Sequence, residues 1–225
     1  CRERSCGFSV TSPRRLVVLD VDSTLTRDEG IDLLASCVSP ETAQRVSSIT
    51  AAAMRGELDF EESLRARVAT LEGVSVDAVA TATAQVRLTD GAEELVERLH
   101  SAGHLVGAVS GGFHHMVDPL ANHLGLDFCR ANHLEVVDEH LTGRLTGEII
   151  DAQAKSDTMR SWAAENSVEI GHTVAVGDGG NDVVMLRDAG IGIAFVAKQV
   201  AKDASDVVID VPDLRRVWDV ITSWD

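Results

Sequence analysis

The chain has 225 residues, of which 44% are hydrophobic and 25% are charged, a composition typical of soluble globular proteins. Acidic residues outnumber basic ones by 36 to 20, and the formal charge of −16 argues against binding to nucleic acid or to an anionic membrane surface. No apolar run reaches the roughly 18 residues that a membrane-spanning helix needs.

Five short apolar runs predict buried strands of a parallel sheet, because they are apolar throughout rather than alternating. The segments between them have helical periodicity; Ala92–Ser101, for example, places Leu95 and Leu99 on one face. Strands that alternate with helices predict an α/β fold, a Rossmann-like parallel sheet with helices on both faces. The predicted strands are Leu16–Leu19, 104–109, 173–176, 192–195 and Val207–Ile209.

The connection between the first two predicted strands is far longer than the roughly dozen residues of a crossover helix. Its excess has helical patterns over 41–53, 60–71 and 76–85, which predict a small inserted helical cap. We expect three parts: an N-terminal extension (1–13), a core (14–32 and 87–225) and a cap (33–86).

A second irregular stretch, residues 133–150, predicts a β-ribbon flap that turns near Asp138 and Glu139. The first 15 residues lack the apolar stretch of a signal peptide. Because the chain begins at Cys1 rather than Met, we expect it to be a piece that further domains can precede. The sequence does not decide between a monomer and a homodimer.

Two pairs of aspartates follow predicted strands. Asp20 and Asp22 stand in LVVLDVDSTLT, and Asp178 and Asp182 stand in VAVGDGGNDVVML. The carboxyl ends of parallel strands meet at one edge of a sheet, where converging carboxylates repel one another unless a cation lies between them. Asp22 alone is also compatible with a helix N-cap. Oxygen ligands with open positions suit Mg²⁺, so together the four aspartates predict a magnesium site.

An anion site is predicted in AVSGGFHH. Ser110 ends a predicted strand, and Gly111 and Gly112 open a predicted helix, so a hydroxyl, unshielded backbone N–H groups and the positive end of a helix coincide. Lys155 lies between this segment and the second aspartate pair and adds a cation.

The histidines and cysteines of the chain are also potential metal ligands, but their spacing does not predict a metal site. His114 and His115 are adjacent and so do not share a helix face, which favours solvated or packed histidines over a metal site. The four cysteines show no CxxC spacing, which favours reduced thiols and a cytoplasmic location. They are Cys1, Cys6, Cys37 and Cys129.

These segments form four motifs in a fixed order: D-V-D-S-T from Asp20, S-G-G from Ser110, then Lys155, and G-D-G-G-N-D from Gly177. They resemble the four motifs of the haloacid dehalogenase superfamily. From about residue 15 to the C-terminus, the chain is most similar to the phosphoserine phosphatase branch. Glu29 lies nine positions after Asp20, as in that branch, and MRGELDFEESLRARV resembles the branch's substrate segment.

The resemblance implies Mg²⁺-dependent hydrolysis of O-phospho-L-serine through an aspartyl-phosphate, the last step of serine biosynthesis. It implies that Asp20 is the nucleophile and Asp22 the general acid and base. The side chains of Asp20 and Asp178 and the backbone carbonyl of Asp22 then hold the metal. Asp182 either ligates the metal or orients its ligands.

For the substrate, the resemblance implies a phosphate site, a carboxylate clamp, an ammonium partner and apolar walls. A planar guanidinium suits a carboxylate, and a carboxylate suits an ammonium group. The phosphate site comprises Ser110, Gly111, Gly112, Lys155 and Asn181; Arg67 is the clamp, Glu29 the ammonium partner, and Met54 and Phe60 the walls.

Three alternatives remain open. The same machinery can act on another small phosphomonoester, such as phosphothreonine, phosphohomoserine or a sugar phosphate. A dehalogenase needs neither magnesium nor a second aspartate at position 22, which this chain has. A non-catalytic module that binds phosphoserine or magnesium is the third alternative, although no residue of the catalytic set is missing.

Overall fold

The computed structural model describes residues 13–224, and within these residues seven strands form one sheet in the order β4-β3-β2-β1-β5-β6-β7. All neighbouring strands run parallel except β3 and β4, which are antiparallel. The predicted α/β fold is confirmed. The strands are β1 (Leu16–Leu19), β2 (Leu105–Phe113), β3 (Phe128–Val137), β4 (His140–Thr146), β5 (Thr173–Gly177), β6 (Ile191–Phe195) and β7 (Val207–Ile209).

The central strand β1 organises the core, since all four of its side chains are buried. Val17 and Leu19 join the apolar cluster on one face of the sheet, and Leu16 and Val18 join the cluster on the other. β1 pairs with β2 on one side and with β5 on the other. The residues that follow these three strands therefore meet at one edge of the sheet.

Helices cover both faces of the sheet, as predicted. Leu99 and Val217 belong to the first apolar cluster, and Met159 and Met185 belong to the second. The helices that follow the cap in sequence are α5 (Ala92–Ser101), α6 (His114–Leu124), α7 (Ala152–Glu165), α8 (Val183–Asp188), α9 (Gln199–Lys202) and α10 (Arg215–Ser223).

The first four α-helices after β1 pack around a third apolar cluster, to which the end of β2, α6 and the strands β3 and β4 also contribute, and we call these four helices the cap. Local sequence sets their starts: Ser39 caps the second helix, and Asp59 and Glu62 form a capping box on the third. The cap helices are α1 (Gly30–Val38), α2 (Pro40–Met54), α3 (Phe60–Ala69) and α4 (Val76–Thr83). The expected boundary at 32/33 falls inside α1, and the division into domains stays a prediction.

Strands β3 and β4 form a ribbon whose turn holds Asp138 and Glu139 at positive φ, 49° and 60°. Backbone hydrogen bonds join the ribbon to the connection between α3 and α4 and to the first residue of α4. Gly73 N donates to Leu141 O at 2.8 Å, Leu141 N donates to Val74 O at 2.8 Å, and Val76 N donates to Glu139 O at 2.9 Å. The backbone thus ties the ribbon tip to the cap.

The predicted helix start at Gly111 is wrong. Strand β2 continues through both glycines to Phe113, and α6 begins at His114. The pairing with β3 shifts between Val109 and Phe113, so that the chain bulges there. A Cβ on Gly112 would lie 3.0 Å from the Ser110 Oγ and 3.1 Å from an Asp22 carboxylate oxygen, which is why the bulge needs a residue without a side chain.

The expected N-terminal extension, with Cys1 and Cys6, lies outside the described residues apart from Pro13. Cys37 and Cys129 are free thiols in the described part of the chain. None of the described helices has both the length and the apolar character needed to span a membrane.

We predict that Gly192→Ala destabilises the fold by about 1–3 kcal/mol, because the new Cβ would lie 2.3 Å from the backbone oxygen of Leu186. Urea unfolding measures the loss. Gly171→Ala is the matched control, since a Cβ there meets nothing within 4 Å. Equal unfolding free energies for the two variants would contradict the close packing of α8 on β6.

Candidate active site

A cavity of about 420 Å³ is lined by residues at the carboxyl edge of the sheet and by cap residues. Three predicted site residues, Ser110, Lys155 and Asp182, are buried and reach the cavity residues through hydrogen bonds. The other ten line the cavity: Asp20, Asp22, Glu29, Met54, Phe60, Arg67, Gly111, Gly112, Asp178 and Asn181.

The chain turns sharply after β1, so that the side chains of two aspartates lie beside the same cavity. Asp20 N donates to Val176 O at 2.9 Å, which extends the pairing of β1 with β5 by one residue. Leu25 N and Thr26 N donate back to Asp20 O and Val21 O in a tight turn, with Ser23 at φ 59°. Asp20 and Asp22 therefore both line the cavity although one residue separates them.

A buried lysine joins two of the predicted aspartates. The Lys155 Nζ donates to Asp20 Oδ1 at 2.5 Å and to Asp182 Oδ1 at 2.8 Å, and all three side chains are at most 4% exposed. Burial by itself lowers the pKa of Lys155, but the two carboxylates outweigh it and hold the pKa above its usual value. The lysine is therefore a charged ammonium group.

Asp182 is fully engaged in this arrangement. Its Oδ1 accepts from Lys155, while its Oδ2 accepts from the backbone N–H groups of Asp178 at 3.1 Å and of Gly179 at 3.0 Å. A Cβ on Gly177 would lie 2.5 Å from Asp182, so this close approach depends on the glycine. With both oxygens occupied, Asp182 fixes the loop that carries Asp178.

The carboxylates of Asp20 and Asp178 are not fully compensated by the nearby lysines, and the pKa of each is raised. Burial, with repulsion from Asp182, raises the pKa of Asp20 well above its usual value although Lys155 opposes the rise. Burial raises the pKa of Asp178 to about 6, against the opposing effect of Lys198. Oxygens of Asp20, Asp178 and Asp182 lie within 4.8 Å of one another. Such a cluster of buried oxygen ligands fits a metal cation.

Asp22 is held from two sides. Gly30 N donates to its Oδ1 at 2.7 Å, and the Ser110 Oγ donates weakly to its Oδ2 at 3.4 Å. Gly112 N donates to the Ser110 Oγ at 2.8 Å. Burial, then repulsion from Glu29, raises the pKa of Asp22 to about 6, so this carboxyl group can be protonated near neutral pH.

The cap side of the cavity contains a second set of charges. Glu29 accepts a hydrogen bond from the Ser23 Oγ at 2.8 Å, and the Arg67 Nε donates to Ser63 O at 3.3 Å. Burial lowers the pKa of Arg67, and nearby Asp32, Glu29 and Asp22 oppose that effect. The guanidinium group therefore lies in a partly desolvated and acidic surrounding.

The two predicted apolar walls differ in exposure. The Phe60 ring packs so closely on the core that a Cβ at Gly111 would lie 3.2 Å from it. Met54 also lines the cavity, yet 78% of it is exposed to solvent. Phe60 thus bounds the cavity between cap and core, and Met54 lies at its open side.

Three residues near the site were not predicted. Asn132, only 1% exposed, donates from Nδ2 to Gly111 O at 2.9 Å and accepts from Ile150 N at 2.9 Å, so it supports the β2 bulge. Lys198 lines the cavity, and Asp32 faces Arg67. No local pattern marks these residues, because their partners are distant in sequence or on the backbone.

Within the predicted histidine pair, His114 has structural partners. His114 Nδ1 lies 2.7 Å from Asp118 Oδ1, its Nε2 accepts from Ala131 N at 3.1 Å, and its ring stacks on His133 with centroids 4.3 Å apart. Asp118 and Cys129 offer ligand atoms close by. Both ring nitrogens of His114 are nevertheless engaged, which favours packing over metal binding.

Comparison with known proteins identifies the family. The model of the haloacid dehalogenase-like hydrolases matches residues 17–187. The chain belongs to this family of hydrolases. The phosphatases of the family are metal-dependent, in agreement with the acidic cluster at the carboxyl edge of the sheet.

Within the family, several similar curated proteins are phosphoserine phosphatases. The Streptomyces coelicolor enzyme is 52% identical over 91% of the chain, which spans 49% of that protein. The Streptococcus thermophilus enzyme is 47% identical over 92% of the chain, which spans 95% of that protein. The chain thus spans about half of the first relative and nearly all of the second.

Solved structures give the same result. A substrate-bound phosphoserine phosphatase complex superposes with a TM-score of 0.87 and 38% identity, over 92% of this chain and 98% of that one. A phospho-aspartyl intermediate analogue of phosphoserine phosphatase superposes with a TM-score of 0.86 and 39% identity, over the same shares.

We predict that Lys155→Met lowers the free energy of unfolding by about 3–5 kcal/mol in metal-free buffer at pH 8, because Asp20 and Asp182 lose their shared counter-ion. Urea unfolding in EDTA measures the loss. Lys202→Met is the control: Lys202 pairs with the exposed Asp210, and its removal costs at most about 1 kcal/mol. Similar losses for both variants would show that the buried bridge is not stabilising.

Proposed function

We propose that the chain hydrolyses O-phospho-L-serine to L-serine and phosphate with Mg²⁺. The observation that carries the proposal is one cavity in which the buried Asp20, bonded to Lys155, and the pair Glu29 and Arg67 are all present. A nucleophile with a phosphate-binding cation lies at the core side, and groups suited to an amino acid lie at the cap side. The relatives named above support the same substrate.

Asp20 acts as the nucleophile. Its carboxylate oxygen attacks phosphorus in line with the leaving serine oxygen, the P–O bond to serine breaks, and an aspartyl-phosphate forms. Water then attacks this phosphorus and releases phosphate and the free carboxylate. The Lys155 ammonium holds Asp20 in place and offers positive charge to the phosphoryl oxygens.

Asp22 acts as general acid and then as general base. In the first step its proton goes to the departing serine oxygen, and in the second it takes a proton from the attacking water. The Gly30 N–H bond fixes the carboxyl group toward the cavity. A pKa of about 6 supports both roles, because protonated and ionised forms are then both accessible near neutral pH.

We propose that the side chains of Asp20 and Asp178, with the backbone carbonyl of Asp22, hold Mg²⁺. When bound, this ion supplies positive charge to the phosphoryl group. Asp182 orients Asp178 rather than ligating directly, because both of its oxygens already accept hydrogen bonds.

The phosphoryl oxygens are bound by the bulged end of β2, by Lys155 and by Asn181. The bulge at Gly111 and Gly112 borders the cavity, and Gly112 N donates a hydrogen bond to the Ser110 Oγ beside it, which supports this role without a helix start at Gly111. The polar groups at this end neutralise and position the phosphate.

The cap selects the substrate. Arg67 binds the carboxylate, Glu29 binds the ammonium group, and Phe60 and Met54 supply apolar contact. We propose that residues 33–86 close over the core (14–32 and 87–225) and limit the access of water. A place in serine biosynthesis follows from the proposed product, L-serine. A cytoplasmic location belongs to the same proposal and is supported by the free thiols of Cys37 and Cys129.

We expect phosphate release from O-phospho-L-serine that EDTA abolishes and Mg²⁺ restores, and a fall in kcat of at least about 10³-fold in Asp20→Asn. A phosphate-release assay measures both, and the exposed Asp157→Asn serves as control. A metal-independent reaction would contradict the mechanism. Higher kcat/KM for phosphothreonine, phosphohomoserine or a sugar phosphate would contradict the substrate.

We expect Arg67→Gln to lower kcat/KM for O-phospho-L-serine about 100-fold, because the substrate carboxylate loses its charged partner. For O-phosphoethanolamine, which lacks the carboxylate, the same variant should change kcat/KM less than about 3-fold. Arg65→Gln removes an exposed arginine paired with Glu61 on the same helix and is the control. Equal losses on both substrates would show that Arg67 does not bind the carboxylate.

A further inference from the structure

Lys198 is a cationic side chain in a cavity whose charged lining residues are mostly acidic. Among the described residues that line the cavity, the cations are Lys198 and Arg67, and Arg67 lies on the cap. The Lys198 Nζ lies 3.7 Å from Asp178 Oδ2, and 64% of its side chain is exposed. It therefore approaches the proposed metal ligand from the solvent side, whereas Lys155 is completely buried.

The backbone around Lys198 is shaped for this contact. Lys198 N donates to Asp178 O at 2.9 Å, so backbone and side chain both meet the same aspartate. Two residues earlier, Val196 adopts φ 45°, a conformation that β-branched residues rarely take, and its N–H donates to Ile209 O at 2.7 Å. A strained turn thus carries Lys198 from β6 to Asp178.

We propose that Lys198 is the resident counter-ion of Asp178, which a bound cation must displace, and that Lys198 thereby weakens the binding of Mg²⁺ to the site. The inference rests on the proposed function, because it takes Asp178 as a metal ligand. An ammonium group within a few ångströms of a divalent cation repels it through partly aqueous surroundings. The long exposed stem of Lys198 lets the ammonium group turn into solvent at little cost.

This arrangement gives the two lysines different roles. Lys155 is bonded to two carboxylates in the protein interior and stays there, while Lys198 holds a single, longer contact at the surface. Only Lys198 can turn into solvent, because its side chain is already 64% exposed, and an incoming cation then takes its place beside Asp178. Lys198 therefore compensates the negative charge of Asp178 in the cation-free protein, and by weakening the binding of the cation it makes the cation readily exchangeable.

Isothermal titration of Mg²⁺ into the metal-stripped full chain tests the proposal without reference to activity. We expect Lys198→Gln to lower the Kd for Mg²⁺ about 3- to 10-fold. Lys198→Arg, which keeps the charge, should stay within about 2-fold of the wild type. Lys202→Gln removes the same charge four residues further along, where the lysine pairs with Asp210, and should leave the Kd unchanged.

An unchanged or higher Kd in Lys198→Gln overturns the inference, since a lysine that merely orients Asp178 would weaken binding when removed. An equal decrease in Lys202→Gln also overturns it, because the effect would then come from net charge. A wild-type chain that binds no Mg²⁺ overturns the proposed function itself. This result is distinguishable from the two outcomes above, because in each of them the wild type binds Mg²⁺.

Discussion

The ammonium group of Lys155 is the contact on which the geometry of the site depends. The Lys155 side chain extends from α7, and its ammonium group contacts Asp20 at the end of β1 and Asp182 in the loop after β5. All three side chains are shielded from solvent. Three segments far apart in sequence are thus fixed by two hydrogen bonds. Because a buried charge without a partner is strongly unfavourable, none of the three can move independently.

Further hydrogen bonds connect Asp182 and Asp20, the two partners of Lys155, to the rest of the site. Asp182 accepts hydrogen bonds from the backbone N–H groups of Asp178 and Gly179 and so fixes their loop, while the turn after Asp20 positions Asp22. Asp22 in turn meets Gly30 at the start of the cap and Ser110 on β2. The site is therefore a single connected hydrogen-bond network, and the cations Arg67 and Lys198 lie at its periphery.

The sequence predicted the α/β sheet, and its short motifs marked residues that the structure brings to one cavity or directly beside it, because both features have local signatures. Continuous apolar runs mark the buried strands, and short motifs mark the strand ends. The start of α6 could not be predicted, since the glycines after Ser110 permit both a helix start and a bulge, and the pairing with β3 decides between them. Asn132 and Lys198 could not be found either, because their partners are distant in sequence.

The three backbone hydrogen bonds between the ribbon and the cap have a mechanical consequence. The cap is attached to the core through its two chain connections and, in addition, through the tip of β3 and β4. It cannot pivot as a free lid; either the ribbon bends with it or these bonds break. The bending stiffness of this surface ribbon therefore limits how far the cap can move relative to the core.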